Sequence, residues 1–199
     1  MKEPSLNLNR RIAKRVRDLR SGQRLSLDGL ASKSGVSRSM ISLVERGESS
    51  PTAVVLEKLA AGLGVTLPAL FDGAPEGGQR RDGPVSRRKD QQEWQDPASG
   101  YRRRNVSPSG VPQPMRIVDV HFPPGERVAF DASNRDARVH QQIWVLRGTM
   151  EIAWGKQRYR LNEGDCLAMQ LDGPTMFHNP TRKPARYAVV IETENIFRR

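Results

Sequence analysis

The side chains with the clearest chemical use are Arg38, Ser39, Ser42, Leu43 and Arg46, which share one arc of the segment Arg38–Arg46 when successive residues turn by about 100° around a helix axis. Met40, Ile41 and Val44 take the opposite arc. A guanidinium can bond guanine O6 and N7 through its fork, and a serine hydroxyl donates and accepts, so this small polar face has the shape and chemistry to enter the major groove of a duplex. Nucleophilic and acid–base chemistry have thinner support, and no catalytic residue is expected. The single cysteine, Cys166, follows a turn on an apolar run and reads as a small core residue. Alone it forms no intramolecular disulfide, which fits a reducing cytoplasm.

The elements that must position that face are legible around it. Leu8, Ile12, Val16 and Leu19 recur at helical spacing and predict a first helix with a basic outer side. Ser26 supplies an N-cap for a second, in which Leu27, Leu30 and Ala31 point one way and Gly35 makes the stop. Ser37 caps a third, which Gly47 ends. Ser50 and Pro51 are expected to open a fourth, with Leu56, Leu59, Ala60 and Leu63 as its buried stripe, and Thr66–Phe71 reads as a short fifth helix.

The stretch Ser34-Gly35-Val36-Ser37, followed by Glu45-Arg46-Gly47, Pro51 and the Leu-rich run Leu56 to Leu63, resembles the helix-turn-helix of the XRE family, the group related to phage repressors. The likeness spans residues 8 to 71. It implies that Arg38 and Ser39 are placed to contact bases, with Ser42 and Leu43 beside them. Ser37, Arg46, Arg24 and the start of the second helix at Leu27 would meet phosphate, which sets register while base contacts set sequence. It also implies that Glu45 pairs with Arg20 as a structural ion pair.

Charge agrees with an anionic partner. The chain of 199 residues carries a formal charge of +11, and the first 24 residues include Lys2, Arg10, Arg11, Lys14, Arg15, Arg17, Arg20 and Arg24. The longest unbroken apolar run is Tyr187 to Ile191, far short of the roughly 18 residues of a membrane span, and no apolar stretch follows the basic start as a secretory signal would require. The Gly-, Pro- and charge-rich residues 73–90 read as a flexible linker between residues 1–72 and a second domain, 91–199. Arg80, Arg81, Arg87, Arg88 and Lys89 read as solvated linker charge.

Past the linker, short runs rich in Val, Ile, Tyr and Trp alternate with turn residues, a pattern of closed antiparallel sheet. Ile143 to Glu151, the Gly164-Asp165 turn and Asn179-Pro180-Thr181 resemble the cupin fold, whose Gly-centred turns and late Asn recur at these separations. Metal-binding cupins use two His, a Glu and a later His. By that resemblance the ligand positions fall within Asn134–Ala137, at Gln141 and at Thr175, where no His or Glu stands, so a metal is not expected, nor any other cofactor. His121, His140 and His178 sit next to inward strand positions and so face away from the interior. The barrel mouth, lined by Gln141, Ile143, Val145 and Thr175 with Met169 and Met176, is the expected pocket for a small effector.

Taken together, the sequence predicts a multidomain α + β chain: an N-terminal five-helix, lambda-repressor-like helix-turn-helix head and a C-terminal cupin, an antiparallel β-barrel of jelly-roll type. The expected function is transcription regulation by a homodimer on a near-palindromic site in double-stranded DNA, with a small-molecule effector in a metal-free barrel. Its third helices would lie about 34 Å apart. A metal-dependent cupin enzyme with a DNA-targeting head, and a protein-binding head as in an antitoxin, are the alternatives. The first needs ligands this chain lacks, and the second predicts no salt-dependent DNA binding.

Overall fold

The computed structural model describes residues 3–71, 83–108, 114–131 and 138–194. The linker reading falls outside them over residues 72–82, as do the upstream cupin ligand positions at Asn134–Ala137. The head contains α1 (Glu3–Gly22), α2 (Leu27–Ser34), α3 (Arg38–Arg46) and α4 (Ala53–Gly62). Ser26 Oγ accepts from the backbone of Gly29 at 2.9 Å and Ser37 Oγ from that of Met40 at 3.3 Å, each satisfying one N–H that a helix start leaves orphaned. Gly35 ends α2 at φ 65°, a left-handed conformation that costs glycine little, and the chain turns there into α3. Gly62 of α4 is needed for a different reason: a Cβ there would lie 2.8 Å from Cβ of Ser34, so its absence lets α4 close on α2.

Two expectations in the head are corrected. The fourth helix is capped by Thr52, whose Oγ1 accepts from Val55 N at 3.3 Å, rather than by Ser50, which instead accepts from Asn9 Nδ2 at 2.9 Å. The fifth helix is a 3-10 turn over Leu67–Phe71. Pro68 brings no N–H to that turn, and Ala69 N bonds back three residues to Thr66 O at 2.9 Å. Leu67, Leu70 and Phe71 are still buried, so the packing role expected of the segment is intact.

Among the described residues ten antiparallel strands follow: β1 (Glu93–Gln95), β2 (Arg102–Asn105), β3 (Met115–Phe122), β4 (Arg127–Phe130), β5 (Arg138–Arg147), β6 (Met150–Trp154), β7 (Gln157–Leu161), β8 (Cys166–Gln170), β9 (Thr175–His178) and β10 (Ala185–Glu194). They form a six-stranded sheet, β1-β2-β3-β10-β5-β8, facing a four-stranded sheet, β4-β9-β6-β7. Alternation sends Val118, Val120, Ile143, Val145, Ile152, Phe177 and Tyr187 into the space between them. β1 escapes sequence reading because it is three residues long with one apolar side chain, Trp94. Cys166 is corrected by the same alternation: Leu167 and Met169 of β8 are buried, so Cys166 is exposed and 3.9 Å from Gln142 Oε1.

The head packs against the barrel at a seam. Asp96 Oδ1 accepts from Ala53 N at 2.8 Å, Asn105 Nδ2 donates to Pro68 O at 3.4 Å, and the Arg103 guanidinium lies 4.9 Å from the centroid of the Phe71 ring. From Phe71 the aromatic contacts run inward through Trp94, Tyr101, Phe122, Tyr187 and Phe177 to Phe130, every step between 5.6 and 6.3 Å.

Candidate nucleic-acid interface and barrel cavity

α3 is held by its buried side and open on the other. Ile41 and Val44 are fully buried in the head core, while Ser37, Arg38, Ser39 and Arg46 are exposed and Ser42 and Leu43 half-buried. The anchor is ionic as well as apolar. Arg20 of α1 meets Glu45 through two parallel bonds, Nε to Oε1 and Nη2 to Oε2, both 2.7 Å. Arg20 also donates to Leu25 O at 2.8 Å, and Arg17 Nη2 to Glu45 O at 2.6 Å, so α1 grips both the end of α3 and the turn before α2. The hydrogen bonds that Arg20 donates to Glu45 raise its guanidinium above the ordinary value, against the pull of burial.

On the open face, Arg38 Nε lies 3.4 Å from Asp28 Oδ1, and Arg46 bonds Ser42 Oγ and, at 2.8 Å, Glu48 Oε2. Ser37 and Ser39 hydroxyls meet at 3.2 Å. These are solvent-exposed contacts of small net strength, so the arginines can exchange them for a stronger anionic partner. Arg24 is exposed on the turn between α1 and α2 at φ 55°, and Leu27 is half-buried at the start of α2. Arg24 is the only non-glycine residue in that region among the described residues.

A cavity of about 90 Å³ lies where the head covers the barrel mouth. Gln141 and Thr175, expected there, line it. Ile143 and Val145 are fully buried and packed away from it, and Met169, buried on the inner side of β8 and paired across the sheet with Gln141, borders a second, outer groove along β5 and β8. Met176 lies between inward Thr175 and Phe177 and therefore faces outward. Ile143, Val145 and Met169 stand off that wall by depth, and Met176 by register. Sequence reasoning missed Arg103 of β2 and Glu57 of α4, both buried and both on the cavity wall. Arg103 shares strand parity with Tyr101, which was legible; the arrival of Glu57 depends on the seam, which was not. Burial pushes the Tyr101 hydroxyl up to about 12 and that of Tyr187 well up, so both remain neutral hydrogen-bonding groups at neutral pH.

The histidines are elsewhere. His178 Nδ1 is 3.1 Å from Glu151 Oε2, His140 borders the outer groove, and His121 sits beside Asp119, its ring pushed down by burial. Among the described residues no three His, Cys, Asp or Glu side chains converge as a metal site would require.

A helix-turn-helix head with an outward third helix, seated on an antiparallel double sheet, defines the class. Residues 16–70 match the HTH_3 helix-turn-helix family. Over 59 residues the chain is 44% identical to the HTH-type transcriptional regulator SutR of Escherichia coli (strain K12), a match over 30% of this chain and 33% of that protein. The match thus spans about a third of the curated relative. The crystal structure of an HTH_3 family transcriptional regulator from Vibrio cholerae has the same fold over 96% of this chain and 99% of its own, at 24% identity and a TM-score of 0.76. A Cupin_2 domain of an XRE family transcriptional regulator from Enterobacter cloacae overlaps 48% of this chain and 98% of its own, with 15% identity and a TM-score of 0.44. Among the described residues no helix is long and apolar enough to cross a membrane.

Proposed function

We propose that this chain is a sequence-specific, double-stranded-DNA-binding transcription regulator that works as a homodimer and takes a small effector in its barrel. The observation that carries the first part is the asymmetry of α3: a buried Ile41, Val44 and Glu45 fix it, and Arg38, Ser39 and Arg46 remain exposed on its other side. Arg38, Ser39, Ser42 and Leu43 read bases, while Ser37, Arg46, Arg24 and the start of α2 at Leu27 hold phosphates. Likeness to named regulators over the head supports this reading.

The second copy is assigned to the outer face of the six-stranded sheet. Met115, Ile117 and Trp144 are 53%, 43% and 51% exposed there, and Ile117 pairs across the sheet with Val190 as Trp144 does with Ala188. A contiguous apolar surface of this kind is what a second copy buries. The roofed cavity beside Gln141 and Thr175 is the effector site.

Selection of bound duplexes from a random-sequence pool by the full chain tests the DNA reading. A recurrent near-palindromic site is expected, and recovery of no preferred sequence overturns it. Light scattering of Trp144→Glu tests the dimer: a shift of the dimer to monomer is expected, and an unchanged mass rejects this face.

A further inference from the structure

Two polar side chains stand on the cavity wall without a hydrogen-bond partner among the described residues: Gln141 of β5, 7% exposed, and Thr175 of β9, 4% exposed. They belong to opposite sheets, and strand parity turns both into the space between those sheets. We propose that the cavity takes a small uncharged molecule with a hydrocarbon tail and one carboxamide or hydroxyl head, and that Gln141 and Thr175 hold that head between the two sheets. The inference deepens the reading of the cavity as an effector site and rests on it.

The polar part of the wall selects the head. Buried polar groups are ordinarily hydrogen-bonded, because folding takes their bonds to water away, so an amide and a hydroxyl left open on one cavity call for a partner inside it. Each of them both donates and accepts. A head that does the same, as a carboxamide or an alcohol does, satisfies the two together. A charged head finds no counterpart. Glu57 and Arg103 border the cavity, but each already interacts with another group of the chain, so a further charge would be buried unpaired.

The apolar part of the wall selects the tail. Phe130 pairs with Thr175 across β4 and β9, and Ile191 pairs with Gln141 across β10 and β5, so each polar side chain has an apolar neighbour that also lines the cavity. Water can bond Gln141 and Thr175, but it leaves these apolar surfaces hydrated, and a molecule with a hydrocarbon tail releases that water. At about 90 Å³ the space equals about three water molecules at liquid density, room for a short branched chain and not for a sugar or a nucleotide.

Titration of the full chain, followed by nuclear magnetic resonance, with isobutyramide, isobutanol, isobutyl chloride, isobutyrate and isobutylamine is the test, since these probes share a hydrocarbon body and differ in the head. Isobutyramide or isobutanol should bind best and shift the signals of Gln141 and Thr175. Isobutyl chloride should bind about fivefold weaker, the effect of one hydrogen bond, and the two charged probes about tenfold or more weaker. Gln141→Leu and Thr175→Val should each bring the amide and the alcohol down to the level of isobutyl chloride, with Tm unchanged or higher, because no partner within the chain is lost. A lowered Tm in both variants would give these side chains a structural role and overturn the proposal. Isobutyl chloride or a charged probe binding as tightly as the amide and the alcohol overturns the choice of head while leaving an effector cavity in place. Binding of no probe at all removes the effector reading itself. Because the probe series uses the unaltered chain, it decides between these outcomes even where a variant fails to fold.

Discussion

Asp96, on the turn between β1 and β2, supplies an acceptor to the first turn of a helix in the other half of the chain: its Oδ1 takes the N–H of Ala53 at 2.8 Å, while Oδ2 takes the N–H and hydroxyl of Ser99 at 2.9 and 2.6 Å. The carboxylate is 2% exposed and lies at the positive end of α4, so it satisfies an orphan donor and meets the helix dipole together. One side chain thereby folds its own turn and fixes the head to the barrel.

Asp96→Ala should cost about 1 to 3 kcal/mol of stability, the penalty for buried donors left without an acceptor. Denaturant unfolding measures it. The seam should open before the head unfolds, seen as faster hydrogen exchange at Ala53 N with little change at Met40 N, whose acceptor is Ser37 within the head. Equal acceleration at both sites would mean that Asp96 supports the head as a whole.

Arg38 and Asp28 make a paired prediction. Their contact at 3.4 Å is between side chains 66% and 75% exposed, so breaking it costs little. Arg38→Ala should weaken specific DNA binding by about 1 to 3 kcal/mol and relax preference at one base position. Asp28→Asn should tighten binding severalfold, because it frees Arg38 and removes a negative charge beside the duplex. A competition assay at fixed salt reads both; unchanged affinity in Arg38→Ala assigns base reading to another face.

Glu45 is a different kind of acid. It is 6% exposed and held by both nitrogens of the Arg20 fork, so Glu45→Ala leaves a guanidinium facing an apolar gap. A loss of about 3 kcal/mol is expected in denaturant unfolding. Loss of less than about 1 kcal/mol would show that the pair is dispensable for seating α3.

How far the sequence could be read follows from the range of the interactions concerned. The helix-turn-helix was legible because Ser26, Gly35, Ser37 and Gly47 act within a few residues of themselves and agree with the apolar phase of Leu30, Ile41 and Val44. Strand parity likewise put Gln141 and Thr175 on the cavity wall. It did not give depth: Ile143 and Val145 have the same parity as Gln141 but lie past the cavity in packed core. Thr52 displaced Ser50 as the cap by two residues, a shift that composition alone does not resolve. The contact of Asp96 with Ala53 and the shared wall of Glu57 and Arg103 bring together residues 43 and 46 positions apart in sequence, and no local pattern announces them.

Asp119 is expected to contribute to the acid limit of the barrel. Burial by itself would raise its carboxyl, but hydrogen bonds and charge from Arg186 and Arg104 outweigh that and hold it below the ordinary carboxylate range. The folded state therefore keeps the proton off at pH values where the unfolded chain, near about 3.9, takes it up. The stabilisation is complete above about pH 4 and is lost as pH falls through the lower folded value. Asp119→Asn should flatten the acid limb of a plot of unfolding free energy against pH and lower stability at neutral pH; an unchanged limb would assign acid unfolding to other carboxylates.

Arg24 combines backbone strain with a candidate phosphate contact, and the two can be separated. Its φ of 55° is a region that a side-chain-bearing residue enters at a cost of about 1 to 2 kcal/mol, whereas glycine enters it freely at the expense of more disorder in the unfolded chain. Arg24→Gly should therefore leave stability unchanged or raise it by up to about 1 kcal/mol in denaturant unfolding. DNA binding should nonetheless weaken across all sequences, and the slope of log affinity against log salt should fall by about 1, the signature of one fewer phosphate held by the protein. A weaker fold would mean that the Arg24 side chain stabilises the turn directly, and an unchanged salt slope would remove it from the phosphate-binding set. If stability holds while the slope falls, the arginine is retained at that turn for the sake of the duplex and against the preference of the backbone.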